Sequence, residues 1–467
     1  MKSKFAALFL LFATVFVLAS CLSTDDNYTY TDDSAITSFS ISSGKQYLHV
    51  KSSTGGDSIV TKDITLSSYK FYIDQVKGEI YNPDSLPCGI DATKLLCSVS
   101  SSNSGVVVIK NIDSDTLKYI TTTDSVDFSQ QREVQVYSNS MTGIRKYKVT
   151  VNVHKEFADS FAWHAMPVCE ALKSLKAVRA IAINGKMLLF GNDGTYTRLF
   201  VSEGNGWNES NTLFDADTYR SVVEKEGVAY LCNGGNIISS ADGSSWTTEA
   251  TATNITRLVA ASRFRIYGYT TDGRLMASAD NGKTWSVSTI DDELSLLPTD
   301  ETAYVSIPVK TNSLTDRVLL IGSRNKSLYP SDTTPHICSK IDEGADNSNN
   351  QPWNYYTIAE ENKHTAPLLN GISAIYYDSQ LLMMGCKNDE KPTSYKSLDN
   401  GITWKVDTTT LVLPDNFAFG EVATGSATAY TVAADKQNVL WLVNAKNGMT
   451  WRGRINRLGW KDEQTSF

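Results

Sequence analysis

Two eight-residue stretches of this chain share one template, and that template limits the fold more than any other feature. Ser278-Ala279-Asp280-Asn281-Gly282-Lys283-Thr284-Trp285 and Ser397-Leu398-Asp399-Asn400-Gly401-Ile402-Thr403-Trp404 both read Ser-x-Asp-x-Gly-x-Thr-Trp. A form one residue shorter runs from Ser240 through Asp242 and Gly243 to Trp246, and a worn copy keeps Gly448, Thr450 and Trp451 in register. Weaker copies end at Trp207 and Trp353. The six tryptophans lie 39, 39, 68, 51 and 47 residues apart, a period that suits one four-stranded blade per unit around a common axis. Strand-like apolar runs precede the boxes at 177–183, 186–191, 228–232, 318–321, 372–377 and 381–385, with short turns such as Asn184-Gly185 between them. The expectation is an all-β chain whose residues 161–467 form a six-bladed β-propeller; seven blades would need a hidden unit.

Residues 34–155 alternate apolar and polar side chains instead of repeating. Runs at 133–138 and 145–153 have the period of two that marks half-buried strands, and 139–143 supplies the turn of a hairpin. Further strands are expected at 36–41, 69–73 and 106–109, which together suit a β-sandwich. The closing segment RKYKVTVNV is similar to the immunoglobulin-like modules that surface lipoproteins of Bacteroidota carry between tether and functional domain, and the resemblance implies a spacer or adhesion role.

The N-terminus specifies an address. Lys2 and Lys4 precede a fifteen-residue apolar run, Phe5–Ala19, whose end with the next two residues reads Leu18-Ala19-Ser20-Cys21; the run is too short to span a bilayer comfortably and has the layout of a signal peptide over residues 1–20. The ending resembles the lipobox of bacterial lipoproteins. That resemblance implies acylation of Cys21 and attachment to the outer membrane, a few acyl chains at about 0.8 kcal/mol per methylene sufficing to hold the protein there. Residues 21–33 read as a polar tether; Asp25 and Asp26 either resemble a surface-export signal or solvate the linker. Cys88 and Cys97 are the one close cysteine pair, open to a bridge or to two buried thiols.

The repeated template resembles the Asp-box, or BNR repeat, of sialidases and other propellers. Its chemistry suits a tight turn: Ser and Asp oxygens accept turn N–H groups, Gly takes positive φ, and Trp packs between blades. The residues Ser240, Asp242, Gly243, Trp246, Ser278, Asp280, Gly282, Trp285, Ser397, Asp399, Gly401 and Trp404 are therefore assigned a structural role, and in the resembling families such turns lie away from the ligand face. A sialidase also needs three arginines on the substrate carboxylate, a Tyr-Glu pair and an acid/base Asp. Phe264-Arg265-Ile266-Tyr267 is the nearest match to the early motif of those enzymes, but it lacks the proline and falls after the second box instead of before the first. Arg179, Arg220, Arg257, Arg274 and Arg317 are candidates for the axis, without the sequence bringing any three together.

Other chemistries find no footing. The five histidines have no metal-ligand spacing, and neither a Gly-x-Ser-x-Gly elbow nor a phosphate-binding Gly-Lys loop occurs. No metal or cofactor is expected, and 342–346 reads as a solvated acidic insertion. The net charge of −8 disfavours nucleic acid as a partner. In the C-terminal WRGRINRLGW segment, Trp451, Ile455, Leu458 and Trp460 are expected to pack the closing blade. The order of signal, sandwich and propeller resembles a Bacteroidota lipoprotein family of unestablished function. Taken together, the chain reads as a lipid-anchored, non-catalytic binding protein of the cell envelope. Its ligand would be a glycan or a protein, with Tyr196, Trp207, Tyr267, Tyr269, Trp353, Tyr355 and Tyr356 as candidate contacts. A sialidase-like glycoside hydrolase and a scaffold subunit of an outer-membrane complex are the alternatives.

Overall fold

The computed structural model describes residues 30–51, 57–344, 351–387, 392–414, 417 and 429–460. Residues 1–29, with the signal segment, Cys21 and most of the tether, lie outside the described residues. The chain divides into two compact units, one ending at Phe157 and also including Trp460, the other spanning Ala158–Gly459. No α-helix occurs among the described residues, and none of their helices is long and apolar enough to cross a membrane.

The first unit holds two sheets. One orders its strands Asp57–Thr65, Ile36–Lys51, Leu95–Ser101 and Ser125–Val126. The other orders Tyr72–Asp74, Glu79–Tyr81, Ile144–Thr150, Arg132–Tyr137, Val106–Lys110 and Leu117–Tyr119. Alternate residues from both sheets form one core that includes Ile41, Leu95, Val134, Tyr147 and Val149, the period-two arrangement of strands with one buried face. Ile144 pairs with Tyr137 across the hairpin. The strand expected at 69–73 is shifted to Tyr72–Asp74, because the Tyr69 N–H turns back to the Leu66 carbonyl at 3.1 Å. Cys88 and Cys97 are both free thiols, and burial pushes Cys97 up to about 11.

The second unit is built from six four-stranded antiparallel sheets. Their first strands are Ala177–Ile183, Val222–Lys225, Ile255–Ala261, Thr302–Pro308, Asn370–Tyr377 and Tyr430–Ala434; the sheets are numbered one to six in that order. In the first five the chain runs outward through four consecutive strands. In the sixth, the outermost strand is Phe161–Ala165, the first of the unit, pairing antiparallel with Met449–Ile455. Start and end of the unit are thus held in one sheet.

The apolar runs dictate this arrangement because strands buried on both faces send alternate side chains to opposite neighbours. In Lys186–Asn192, Leu188 and Phe190 enter the core shared with sheet two, while Met187 and Leu189 enter the core shared with sheet six. Val222 and Val223 divide in the same way. The other pairs of adjacent sheets share cores of the same kind.

One copy of the template stands apart, and one expectation needs correction. The turn carrying Gly448 joins the second and third strands of sheet six, Leu440–Asn444 and Met449–Ile455. The other five copies lie between third and fourth strands. Here the fourth strand comes from the start of the unit, so no third-to-fourth turn exists in sheet six. Trp460, expected in the closing blade, belongs instead with the first unit and stacks on His154 at 3.6 Å between ring centroids.

Candidate binding site at the propeller axis

The six first strands surround a cavity of ≈ 620 Å³, lined by residues from every sheet, including Arg179, Glu224, Arg263, Tyr304, Ser373 and Thr431. Its two ends differ. In a four-stranded antiparallel blade the first-to-second and third-to-fourth turns lie at the same end, so the Ser-x-Asp-x-Gly turns mark the end where first strands finish. The opposite end is formed where those strands begin.

At the turn-bearing end the boxes have nearly identical wiring. Ser278 Oγ donates to Asp280 Oδ1 (2.8 Å) and accepts from the Gly282 N–H (2.8 Å). Asp280 also accepts from the Thr284 N–H (2.8 Å) and Oγ1 (2.7 Å), while Trp285 Nε1 donates to the Gly282 carbonyl (2.9 Å). Ser397, Asp399, Thr403, Gly401 and Trp404 repeat these bonds at 2.7–2.9 Å. Asn281 and Gly282 take φ of +62° and +92°, the left-handed region open to Asn and Gly. The short box retains Ser240 and Asp242 bonded to the turn N–H groups. It lacks the left-handed Asn, and Trp246 Nε1 is buried with no partner. Each box glycine meets the preceding sheet: Gly243 faces Leu188, Gly282 faces Ile237 and Gly401 faces Leu319. These turns are occupied by their own bonds and by packing between sheets.

The same end carries a buried ionic network. Asp316 accepts from the Arg263 N–H (2.9 Å) and Nε (2.8 Å). Asp342 is fully buried and accepts from Ser262 Oγ and Arg265 Nη1. The acidic insertion expected at 342–346 is thus corrected at its first residue, which closes the strand His336–Glu343 on a paired arginine; residues 345 and 346 lie outside the described residues. Among the described residues no group of three acidic, His or Cys side chains is placed to hold a metal.

At the other end the structure brings together Arg179, Arg220 and Arg257, three of the five arginines singled out from the sequence. Arg220 Nη2 and Arg257 Nη1 donate to the same acceptor, the Asp300 carbonyl, at 2.5 and 2.8 Å. Arg257 Nη2 reaches the Thr299 carbonyl (2.9 Å), and Arg179 donates to the Arg220 carbonyl (3.3 Å) and, across the axis, to the Thr302 carbonyl. Burial, then the charges of Arg220 and Arg179, push Arg257 down to about 10. Glu301 is raised by burial, and its carboxylate accepts from the Gly371 N–H at 2.5 Å. Tyr304 Oη accepts from the Glu224 N–H (2.8 Å) and donates to the Glu224 carbonyl (3.2 Å), so it is bound to main chain and not to a carboxylate. Arg274 pairs with Asp272 on the surface, and Arg317 sits in the second strand of sheet four. Arg265, from the expected Phe264–Tyr267 strand, precedes the strand Ile266–Thr270 and serves Asp342.

Of the aromatic candidates, Trp353, Tyr267 and Tyr269 are buried in the core between sheets three and four and are withdrawn as ligand contacts. Trp207 gives its Nε1 to Thr450 Oγ1 (2.8 Å). Tyr196 is the most open of the set, 46% exposed.

Comparison with known proteins fixes the family. Residues 39–151 match the N-terminal domain of DUF6242, and residues 157–463 match the DUF6242 beta propeller domain. The chain belongs to the DUF6242 family. No curated protein matches it. Among solved structures, a structural-genomics protein of unknown function from Bacteroides thetaiotaomicron is 12% identical, with a TM-score of 0.40, covering 91% of this chain and 99% of its own. The fucose-binding, six-bladed β-propeller lectin of Aleuria aurantia is 13% identical, with a TM-score of 0.37 over 60% of this chain and 93% of the lectin. YCF48 from Cyanidioschyzon merolae is 12% identical, with a TM-score of 0.32 over 63% and 98%. The six sheets described above are thus the DUF6242 propeller, and the two-sheet unit is its companion domain.

Proposed function

We propose that this DUF6242 protein is a non-catalytic binding protein of the cell envelope, held at the outer membrane by acylated Cys21, with the propeller as its recognition platform for a glycan or a protein. The observation that carries the reading is the axial cavity of ≈ 620 Å³, to which every sheet contributes side chains. A concave site lined by few, well-fixed polar groups is the usual form of a small-ligand site. In this reading the first unit is an immunoglobulin-like stalk. Its division of 36–51, 95–101 and 125–126 into one sheet and of 106–110, 132–137 and 144–150 into the other supports that assignment. The Ser-x-Asp-x-Gly turns are Asp-boxes with a structural role, their hydroxyl, carboxylate and indole groups being engaged in their own turns.

One observation favours a second reading. The convergence of Arg179, Arg220 and Arg257 is what a sialidase-like hydrolase requires of its carboxylate clamp, although Tyr304 is committed to the Glu224 main chain. A glycan-array screen of the full-length protein, with released-sugar analysis on the same samples, separates the readings. Saturable binding without product supports the binding protein, whereas released sugar overturns it in favour of the hydrolase. Silence on both counts removes the glycan and leaves a protein partner.

A further inference from the structure

We propose that the axial cavity is a well, closed where the first strands begin and open where they finish, and that it takes the end of a neutral sugar chain. The inference rests on the reading of this cavity as a ligand site and names its entrance and the chemistry of its occupant. In the propellers that the boxes resemble, those turns lie away from the ligand face; here they stand at the same end as the entrance.

Arg179 closes one end. It reaches from sheet one across the axis to the Thr302 carbonyl of sheet four, which stands opposite in a ring of six, and donates also to the Arg220 carbonyl beside sheet two (3.3 Å). Tyr304 crosses from sheet four to both main-chain groups of Glu224 in sheet two. Behind them Arg220 and Arg257 share the Asp300 carbonyl, and Glu301 holds the Gly371 N–H of sheet five. The lining of the cavity extends the other way, to the finish of the first strands, where Glu226, Pro308 and Lys436 are exposed. The rise from Tyr304 to Pro308 makes the well about 13 Å deep, at ~3.3 Å per residue. A well closed at its base admits a chain by its end and not by its middle.

The wall selects what enters. Each first strand is the terminal member of its sheet, so one edge, without a strand partner, turns main-chain N–H and C=O groups to the axis. The side chains beside those edges are small: Ala180, Ala261, Ala303, Ala374 and Ala433 come from five of the six sheets. Main-chain donors and acceptors therefore face the occupant from all sides. A hydroxyl both donates and accepts, and a sugar carries hydroxyls around its whole circumference. An extended peptide pairs along its two edges and needs pockets for the side chains between them, which a wall of alanines does not provide. The charged groups are engaged: Arg263 on Asp316, Arg179 on carbonyls, and Lys225 Nζ on Asn281 Oδ1 (2.8 Å). A neutral occupant leaves those bonds in place. At the rim, half-buried Tyr376 and exposed Pro308 offer faces on which a sugar ring can rest.

The test is calorimetric titration of the full-length protein in detergent with linear neutral trioses and hexaoses of glucose, mannose and galactose, and with tetra-alanine. At least one sugar should bind, its triose and hexaose agreeing within about twofold per mole of chain because each chain brings one matching end. K436W and P308W place an indole over the entrance, and T299W places one at the closed end; all three positions are exposed, which spares the fold. Either rim variant should weaken the sugar about tenfold or more, and T299W should leave it unchanged. Loss in T299W with both rim variants intact overturns the inference, as does an affinity per chain that climbs several-fold from triose to hexaose, the mark of binding along the chain. Rim-sensitive binding of tetra-alanine with none of the sugars overturns it as well and gives the well to a polypeptide end. Failure of every neutral sugar also overturns it; charged glycans bound on the array would then leave the glycan platform standing, and silence there removes both.

Discussion

Replacing Trp404 by Phe, with Trp246 replaced by Phe in parallel, tests whether the box indole acts through its hydrogen bond or through bulk alone. Trp404 is 4% exposed, lies in the core between sheets four and five, and donates to the Gly401 carbonyl at 2.9 Å. Phenylalanine retains most of the apolar area but leaves that carbonyl without its partner, at a cost of ~1–3 kcal/mol. Trp246 packs against Phe214, with ring centroids 5.2 Å apart, yet its buried Nε1 donates to nothing. Its replacement removes a desolvated donor and should change stability by no more than ~1 kcal/mol in either direction. At ~2–4 °C per kcal/mol for a unit of this size, W404F should lower the propeller's calorimetric transition by several degrees while W246F hardly moves it. W404A, which empties the site, should cost about 3–5 kcal/mol. Equal shifts for W404F and W246F would refute the reasoning, because the two variants lose similar bulk and differ in the bond.

Two further outcomes follow from the same end of the axis. Burial opposes ionisation of Asp280, but hydrogen bonds from the Thr284 hydroxyl and N–H and from Ser278 outweigh it and hold the carboxyl down to about 2. A carboxylate depressed below its unfolded value of about 3.9 contributes stability that is present above that pH and lost as pH falls toward 2. The urea midpoint of D280N should therefore trail the wild type above about pH 5 and converge with it toward pH 2; a gap independent of pH would refute this. D342A should cost ~3–5 kcal/mol by leaving Arg265 paired with nothing charged, whereas R274A, breaking a pair whose members are 61% and 59% exposed, should cost ~0–1 kcal/mol. Comparable urea midpoints for the two variants would contradict the account.

The parts of the fold written into local sequence were legible there. At Ser278–Trp285 all the partners lie within eight residues, so spacing alone carries the turn, and alternation within 186–191 carries the two-faced strand. What sequence could not carry depends on ring closure. Trp451 mimics a box because Gly448 and Thr450 fall at the right offsets, but its strand borrows its neighbour from 161–165, nearly the whole unit away. Arg179, Arg220 and Arg257 are separated by some forty residues each and meet only because their sheets are adjacent and the 299–302 segment crosses beneath them. Arg179 and Arg257 share a signal, the third position of a first strand, that aligning the repeats with one another could have found, whereas Arg220 lies two residues ahead of its strand Val222–Lys225. Asp342 looked solvated because its neighbours are acidic, while its partner Arg265 is distant in sequence. Tyr267 and Tyr269 looked available because aromatic residues on strands do not announce which face is covered.

The pairing of Phe161–Ala165 with Met449–Ile455 sets an order of events. The first strand of the propeller to be synthesised has its partner about 290 residues downstream, some 15–60 s later at ~5–20 residues per second. Until then it can find no native neighbour, and sheet six cannot be completed. A chain shortened before residue 449 leaves the ring open at one edge and leaves its opening strand unmatched. The closure therefore acts as a check on completeness, admitting to the finished state only chains whose two ends have both arrived.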